Sequence, residues 1–208
     1  MYLPAHFSQT DLAPLYALMR QYPLATLVTE ADDGPVADEL PFVLDAELGP
    51  HGTLKAHVAR ANPLWQMHPA QRRVLVIFRG PQAYVSPSWY PGKAEHGRVV
   101  PTWNYTLVQA SGLLRVVDDD ALWLRAQLET LTHLQEAARP QPWSPADAPA
   151  DYVARMMSAV VGLEITLTGL SAKFKLSQNH PLASRQAVAQ GLAGEPFEAA
   201  RQVAGLMA

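Results

Sequence analysis

The stretch "LATLVTEADDGPVADELPFVLD", residues 24 to 45, predicts the first β-hairpin of this chain. Its first seven residues form a β-rich run, "DDGP" favours a tight turn, and "VADELPFVLD" alternates like a returning strand. After a second turn, "GTLKAHVA" (residues 52 to 59) predicts a third strand. Because strands joined by short turns pair in antiparallel fashion, the stretch indicates an antiparallel barrel or a strongly bent sheet.

The flanking sequence adds helices around this sheet. "SQTDLAPLYALMRQYP" predicts an amphipathic helix that stops before Pro23, and "DDDALWLRAQLETLTHLQEAA" and "ADYVARMMSAV" predict two more. Further strands are expected at "RRVLVIFRG", which continues past a break at Gly80-Pro81, at "TWNYTLVQASGLLRVV", with a bulge at Gly112, and at "VGLEITLTGLSAKFKL". The predicted class is mainly β with peripheral helices. We expect one domain over residues 1–180 and a helical extension over 181–208.

Composition limits the classes of function. Charged residues make up 17% of the 208 residues, below the usual share of roughly 25%, which indicates a surface buried against a partner, most simply in a homodimer. The absence of cysteine excludes disulfides and thiolate chemistry. No apolar run approaches the roughly 20 residues of a membrane span, and no signal pattern opens the chain, so a soluble cytoplasmic protein is expected. The net charge of −3 argues against a large nucleic-acid footprint.

Several common motifs are missing. No two glycines lie two residues apart, so the dinucleotide-binding fingerprint is absent, and neither a P-loop nor a nucleophile elbow occurs. The seven histidines are scattered, and none forms a pair at the helical spacing of a zinc site. No metal site is predicted.

Two shorter stretches carry candidate binding residues. In "HVARANPL", residues 57 to 64, a strand runs into a helix start, where the Arg60 guanidinium and backbone N–H groups suit a phosphate. The alternative is that Asn62 merely caps the helix and that Arg60 is solvated. In "KFKLSQN", residues 173 to 179, two lysines at strand spacing point the same way, and the alternative is a solvated edge that blocks aggregation.

The stretch "SPSWYPGKAEHGRVVPTWNY", residues 86 to 105, combines two Trp and two Tyr with proline, glycine and charge, in a chain that is only 8% aromatic. Its rings, with the Ser86 and Ser88 hydroxyls, suit the lining of a flat heterocycle. The alternative is that Trp89 and Trp103 are core or interface residues.

The words "MYLPAHF", "HVARANPLW", "YVSPSWYP", "VPTWNY" and "KLSQN" occur in an order that resembles the PaiB-type family of FMN-binding negative transcriptional regulators, over about residues 1 to 191. That family is similar to the wider pyridoxamine-phosphate-oxidase-like group. The resemblance implies an antiparallel FMN-binding split β-barrel and a homodimer with one FMN at each end of the interface.

Transferred residue by residue, the resemblance implies four groups of cofactor-binding positions. The backbone of Leu40, Pro41 and Phe42 would lie along the flavin ring. The ribityl chain and phosphate would be held by His57, Val58, Arg60 and Asn62. The partner chain would contribute Ser86, Ser88, Trp89, Tyr90 and Trp103, while Lys175 and Gln178 would lie near the ring edge. Asp38 and Glu39 depart from the family pattern, because they place two carboxylates near an anionic cofactor.

Three functions remain open. The first is an FMN-dependent oxidase or reductase acting on an unnamed small molecule, where the cofactor carries the chemistry. The second is a flavin-binding regulator without turnover that acts on DNA or a protein partner. The third is a haem protein of the same fold with a histidine axial ligand. Since no helix-turn-helix with a basic recognition helix is present, direct DNA binding is not expected.

Overall fold

The computed structural model describes residues 1–66 and 72–207. The strands over these residues are β1 (Ser8–Gln9), β2 (Leu24–Ala31), β3 (Gly34–Pro41), β4 (Val43–Asp45), β5 (Thr53–Ala59), β6 (Arg72–Val85), β7 (Thr102–Val117) and β8 (Val160–Lys175). The helices are α1 (Leu12–Gln21), α2 (Gly92–Glu95), α3 (Ala121–Glu136), α4 (Ala150–Ser158), α5 (Leu182–Ala193) and α6 (Glu198–Leu206). Single 3₁₀ turns lie at Ala5–Phe7, Pro63–Trp65, Pro87–Trp89 and Pro145–Asp147.

The sheet confirms the predicted antiparallel hairpins. Its strand order is β3-β2-β6-β7-β8-β5-β4, and β1 pairs with the end of β8. β2 and β3 pair from Leu24 opposite Pro41 to Ala31 opposite Gly34, and Gly34 has a φ of 116°, which a tight turn here requires. β5 pairs antiparallel with both β4 and β8. The class is therefore mainly antiparallel β with peripheral helices, as the sequence predicts.

One glycine position differs from the sequence prediction. β6 runs unbroken through Gly80 and Pro81, where a break is predicted. A side chain at Gly80 would overlap the Thr106 hydroxyl, and one at Gly112 would overlap Ile165 and the Thr166 backbone. At both positions a neighbouring strand approaches so closely that no side chain fits, and this close approach explains the two glycines.

The first of two compact units comprises Met1–Leu18, Arg79–Val108 and Ser171–Ala208. Its core brings the end of β6, through Ala83 and Val85, together with Tyr90 and the inner faces of α5 and α6, which include Val188 and Val203. The two C-terminal helices thus share a core with the end of β6.

The second unit comprises Met19–Phe78 and Gln109–Leu170, and its core includes Leu27, Leu54, Phe78 and Ile165, all with no exposed surface. The Asp120 carboxylate caps α3 by accepting a hydrogen bond from the Trp123 N–H at 2.9 Å. Among the helices of residues 1–66 and 72–207, none has both the length and the apolar character needed to cross a bilayer.

Candidate functional site

The predicted phosphate-binding residues lie on β5 and the turn after it, in the second unit. Val58 is buried, while His57 is half-buried on the opposite side of the strand. The Asn62 side chain caps the 3₁₀ turn, because its Oδ1 accepts a hydrogen bond from the Leu64 N–H at 2.8 Å. The predicted cap with Pro63 in the first turn is confirmed, and the rest of the predicted helix, from residue 67 on, lies outside the described residues.

Arg60 is neither free nor simply solvated. Its Nε donates to the Ser158 carbonyl at 2.9 Å, and an Nη lies 2.6 Å from the Asp118 carboxylate. The guanidinium also lies 5.4 Å from the centre of the Trp65 ring. The Arg60 side chain is therefore already positioned to hold an oxyanion, with Asp118 as its present partner.

The two carboxylates that depart from the family pattern both have hydrogen-bond donors. The Asn62 Nδ2 donates to Asp38 Oδ1 at 2.8 Å, and the Thr26 hydroxyl donates to Glu39 Oε1 at 2.5 Å. These bonds tie β3 to β2 and to the turn after β5. Each of the two carboxylates therefore has a donor that stabilises its negative charge.

His57 belongs to a small polar cluster with α3. Its Nδ1 lies 3.2 Å from Gln127 Oε1, and the buried Gln127 Nε2 has no partner among the described residues. Burial lowers the pKa of His57 below its ordinary value of 6.5, and the bond to Gln127 opposes only part of that shift. The neutral imidazole is thus favoured.

The residues predicted to lie along the flavin ring are Leu40, Pro41 and Phe42. The side chains of Leu40 and Phe42 are buried, and the Phe42 ring packs edge-on against Phe78 at 6.0 Å. Of the three side chains only that of Pro41 is half-buried and open to a ligand, and the backbone role along the flavin ring stays a prediction.

The aromatic-rich loop, residues 86–101, lies in the first unit and is held by hydrogen bonds among its own residues. Ser86 Oγ accepts a hydrogen bond from the Ser88 N–H, and Ser88 Oγ accepts one from Lys93 Nζ at 2.9 Å. The Trp89 indole lies on α5 at Gly191, where no side chain fits. Both serine hydroxyls are therefore engaged within the loop.

Trp103 lies apart from these residues, on β7. It is 53% exposed and meets Tyr84, which is 48% exposed, edge-on at 6.0 Å. An aromatic pair with half of its surface open suits contact with a flat ligand or a second chain.

The "KLSQN" stretch forms a strained turn after β8. Ser177 has a φ of 64°, a left-handed conformation that only a constrained non-glycine residue keeps. Asn104 constrains it from β7 by donating from Nδ2 to Ser177 Oγ at 3.0 Å. The Gln178 amide bridges the turn, since Nε2 donates to the Phe174 carbonyl and Oε1 accepts from the Leu176 N–H. Gln178 thus braces the turn.

A cavity of about 520 Å³ opens beside this turn, within the first unit, and we call it the Tyr90 pocket. Its size lies in the range of about 300–1,000 Å³ that is typical of small-molecule sites. Its polar lining comes from the aromatic-rich loop with the start of β7, the end of β8 with the turn after it, and α5: Tyr90, His96, Arg98, Thr102, Asn104, Lys175, Ser177, Asn179, His180 and Ser184.

Of the predicted site residues, only Tyr90 and Lys175 line the Tyr90 pocket. Sequence reasoning weighed the rings and serines of the loop and missed His96 and Arg98, which stand between them, and His180, which follows "KLSQN". The available signal was the clustering of basic side chains in two stretches already singled out.

Comparisons with known proteins agree with the fold. Residues 1–169 match the family model described as "Putative FMN-binding domain". The chain is 30% identical over 207 residues to the "Protease synthase and sporulation protein PAI 2" of Bacillus subtilis, covering 100% of this chain and 96% of that protein. It is 33% identical over 242 residues to an uncharacterized protein of Emericella nidulans, with 100% and 96% covered.

Among solved structures, the "FAD and Heme binding protein from Mycobacterium smegmatis" superposes with a TM-score of 0.58 at 18% identity, covering 81% of this chain and 73% of that chain. At this identity the likeness concerns the fold alone. The predicted fold, an antiparallel split β-barrel with peripheral helices, is confirmed.

Proposed function

This chain belongs to the FMN-binding domain family, and we propose that it binds FMN at the interface of a homodimer and acts as a redox protein on a small molecule. The cofactor implied by the family is FMN. When bound, FMN supplies electron or hydride transfer, so the chain itself needs no catalytic triad.

The observation that carries this proposal is the arrangement of Arg60 on the "HVARANPL" motif. Its guanidinium holds the Asp118 carboxylate at 2.6 Å, a partner that a phosphate group would replace. Asn62 lies two residues further along the same turn and already binds Asp38 through its amide. Arg60 and Asn62 would hold the phosphate, while the backbone of residues 40–42 would lie along the ring.

The homodimer is proposed from two features. The charged fraction of 17% is low, and the Tyr84–Trp103 pair leaves aromatic surface exposed on β6 and β7. In a dimer this pair would cover the flavin site of the partner chain. A regulator without turnover and a haem protein remain the competing functions.

The first experiment is the visible spectrum of the purified protein, followed by titration with FMN. Flavin bands, or saturable FMN binding by colourless protein, support the proposal. A Soret band with no affinity for FMN would instead favour the haem protein, with a histidine as axial ligand.

The second experiment removes the Arg60 charge. Arg60→Ala should weaken FMN binding by about 1.5–3 kcal/mol and leave riboflavin, which lacks the phosphate, almost unchanged. Arg125→Ala is the matched control, because Arg125 is an exposed arginine of α3 that is likewise paired with a carboxylate, that of Glu129. Asp118→Asn should strengthen FMN binding by removing the competing charge. An equal loss for FMN and riboflavin in Arg60→Ala would mean that Arg60 acts through folding.

A further inference from the structure

The Tyr90 pocket has a one-sided charge. Arg98 and Lys175 line it together with His96 and His180, and its lining residues include neither Asp nor Glu. Several arginines and lysines elsewhere lie within 4.0 Å of a carboxylate, as Lys55 does with Asp45 at 3.0 Å. For Arg98 and Lys175, no carboxylate partner occurs among residues 1–66 and 72–207. Two cationic side chains without a carboxylate partner beside one cavity favour an anion there.

Lys175 is held in place for such a role. Its ammonium donates to the Thr102 hydroxyl and to the Trp103 carbonyl, both at 2.5 Å, which leaves one of its three N–H groups for a ligand. Burial and then the charge of Lys173 lower the pKa of Lys175. Burial and then the charge of Lys175 lower the pKa of His180. A bound anion would offset the repulsion between these groups, which is the smaller cause of each shift after burial.

Tyr90 supplies a hydrogen-bond donor at the same cavity. The side chain is 5% exposed, and its hydroxyl has no well-formed hydrogen bond to any described residue. The Ser177 hydroxyl lies nearby and partly offsets the rise that burial causes in the pKa of Tyr90, but Ser177 itself donates to Asn104 Oδ1 at 3.3 Å. A buried phenol without an acceptor is unfavourable, and a ligand oxygen that reached the hydroxyl would satisfy it.

We propose that the Tyr90 pocket binds the oxyanion, carboxylate or phosphate, of a small organic molecule, with Lys175 and Arg98 supplying the charge and Tyr90 donating a hydrogen bond. Phe7, Val99 and Pro101 form apolar walls beside these groups, which suit an aromatic or aliphatic body attached to the anion. The proposal holds whether or not the chain binds FMN. Because the proposed function assigns the flavin phosphate to Arg60 and Asn62, we expect the Tyr90 pocket to take a separate anionic substrate, and the last experiment below distinguishes that substrate from the flavin phosphate.

Calorimetric titration of the full chain with three probes tests the anion site. Benzoate and phenyl phosphate carry the two oxyanions, and benzamide is their neutral counterpart. We expect benzamide to bind about tenfold or more weakly than both anions, and binding of the anions to weaken as salt is added.

Variants link the anion to the pocket. Lys175→Met and Tyr90→Phe should each reduce anion affinity, by about tenfold or more for the charge and less for the hydroxyl. Lys93→Met is the matched control, since Lys93 belongs to the same loop but does not line the pocket. If circular dichroism indicates that Lys175→Met does not fold, the exposed Arg98→Gln takes its place. Benzamide binding as tightly as benzoate, or unchanged phenyl phosphate affinity in folded Lys175→Met or Arg98→Gln, would overturn the proposal.

Comparing FMN with riboflavin distinguishes the flavin phosphate from a separate anionic substrate as the ligand of the Tyr90 pocket. If the pocket takes the flavin phosphate, Arg98→Gln weakens FMN but not riboflavin, and phenyl phosphate competes with FMN. If it takes a separate substrate, Arg98→Gln leaves both flavins unchanged and phenyl phosphate binds alongside FMN. Failure to bind any flavin would refute the proposed function, while the probe titrations would still decide the anion site.

Discussion

Replacing Gly191 by alanine should destabilise the protein, although alanine is the better helix former. Gly191 lies inside α5, where the Trp89 indole rests on the helix. A Cβ at this position would lie 2.6 Å from Trp89 Cγ, far inside the optimal carbon–carbon separation of about 3.5–4.0 Å. The substitution tests whether the aromatic-rich loop is fixed by this contact.

The change in the free energy of unfolding that Gly191→Ala causes is the sum of two opposing effects. Gly→Ala in a helix interior stabilises by about 1 kcal/mol, while overpacking of this kind costs typically about 1–3 kcal/mol. Gly205 in α6 provides the matched control, because nothing lies within 4 Å of a Cβ built there. Gly205→Ala should therefore gain up to about 1 kcal/mol, and the free energies of unfolding of the two variants should differ by about 1–3 kcal/mol.

Urea denaturation followed by circular dichroism measures both free energies of unfolding. In a Trp89→Leu background the clash disappears, and Gly191→Ala should then stabilise as Gly205→Ala does. If Gly191→Ala gains as much stability as Gly205→Ala in the presence of Trp89, the indole does not rest on α5 and the described position of the loop is refuted.

Three further predictions concern pH, assembly and DNA. Burial lowers the pKa of His57 in the folded state below 6.5, so the unfolded state binds more protons between about pH 7 and pH 5. The free energy of unfolding should therefore fall as the pH drops through this range, and His57→Gln should make the fall smaller in urea denaturation. Light scattering at micromolar concentration should give about twice 22.8 kDa, and a clean monomer that binds FMN would contradict the shared site. Anisotropy titrations in about 0.15 M salt should detect no tight DNA binding, and submicromolar, sequence-selective binding that is lost when Arg72 and Arg73 become alanine would reverse that conclusion.

The fold was largely predictable because its determinants are local. The "DDGP" turn between two β-rich runs sets the β2–β3 hairpin, and Asn62-Pro63 sets the 3₁₀ turn after β5. The prediction of a break at Gly80 was wrong. Glycine is needed there because the Thr106 side chain, on a strand more than twenty residues away in sequence, leaves no room for a Cβ. Local chemistry says nothing about such an approach.

The candidate site was predictable only in part for the same reason. The resemblance gave the motifs, and the structure reveals their partners: Asp118 for Arg60, and Thr102 for Lys175. The left-handed Ser177 depends on Asn104, 73 residues earlier in the chain. These long-range pairs decide which side chains are available to a ligand, and a single sequence does not contain them.

Charge pairing determines which anions this chain can hold. An extended polyanion interacts with many surface charges at once, and a chain of net charge −3 repels it. A small anion responds mainly to charges within a Debye length, about 8 Å at physiological salt. In the second unit Arg60 and Arg115 are paired with carboxylates, whereas in the first unit Lys175 and Arg98 surround a cavity without one. We therefore expect this acidic chain to bind no nucleic-acid duplex tightly, while the basic groups of the proposed anion site keep a local positive potential for one oxyanion.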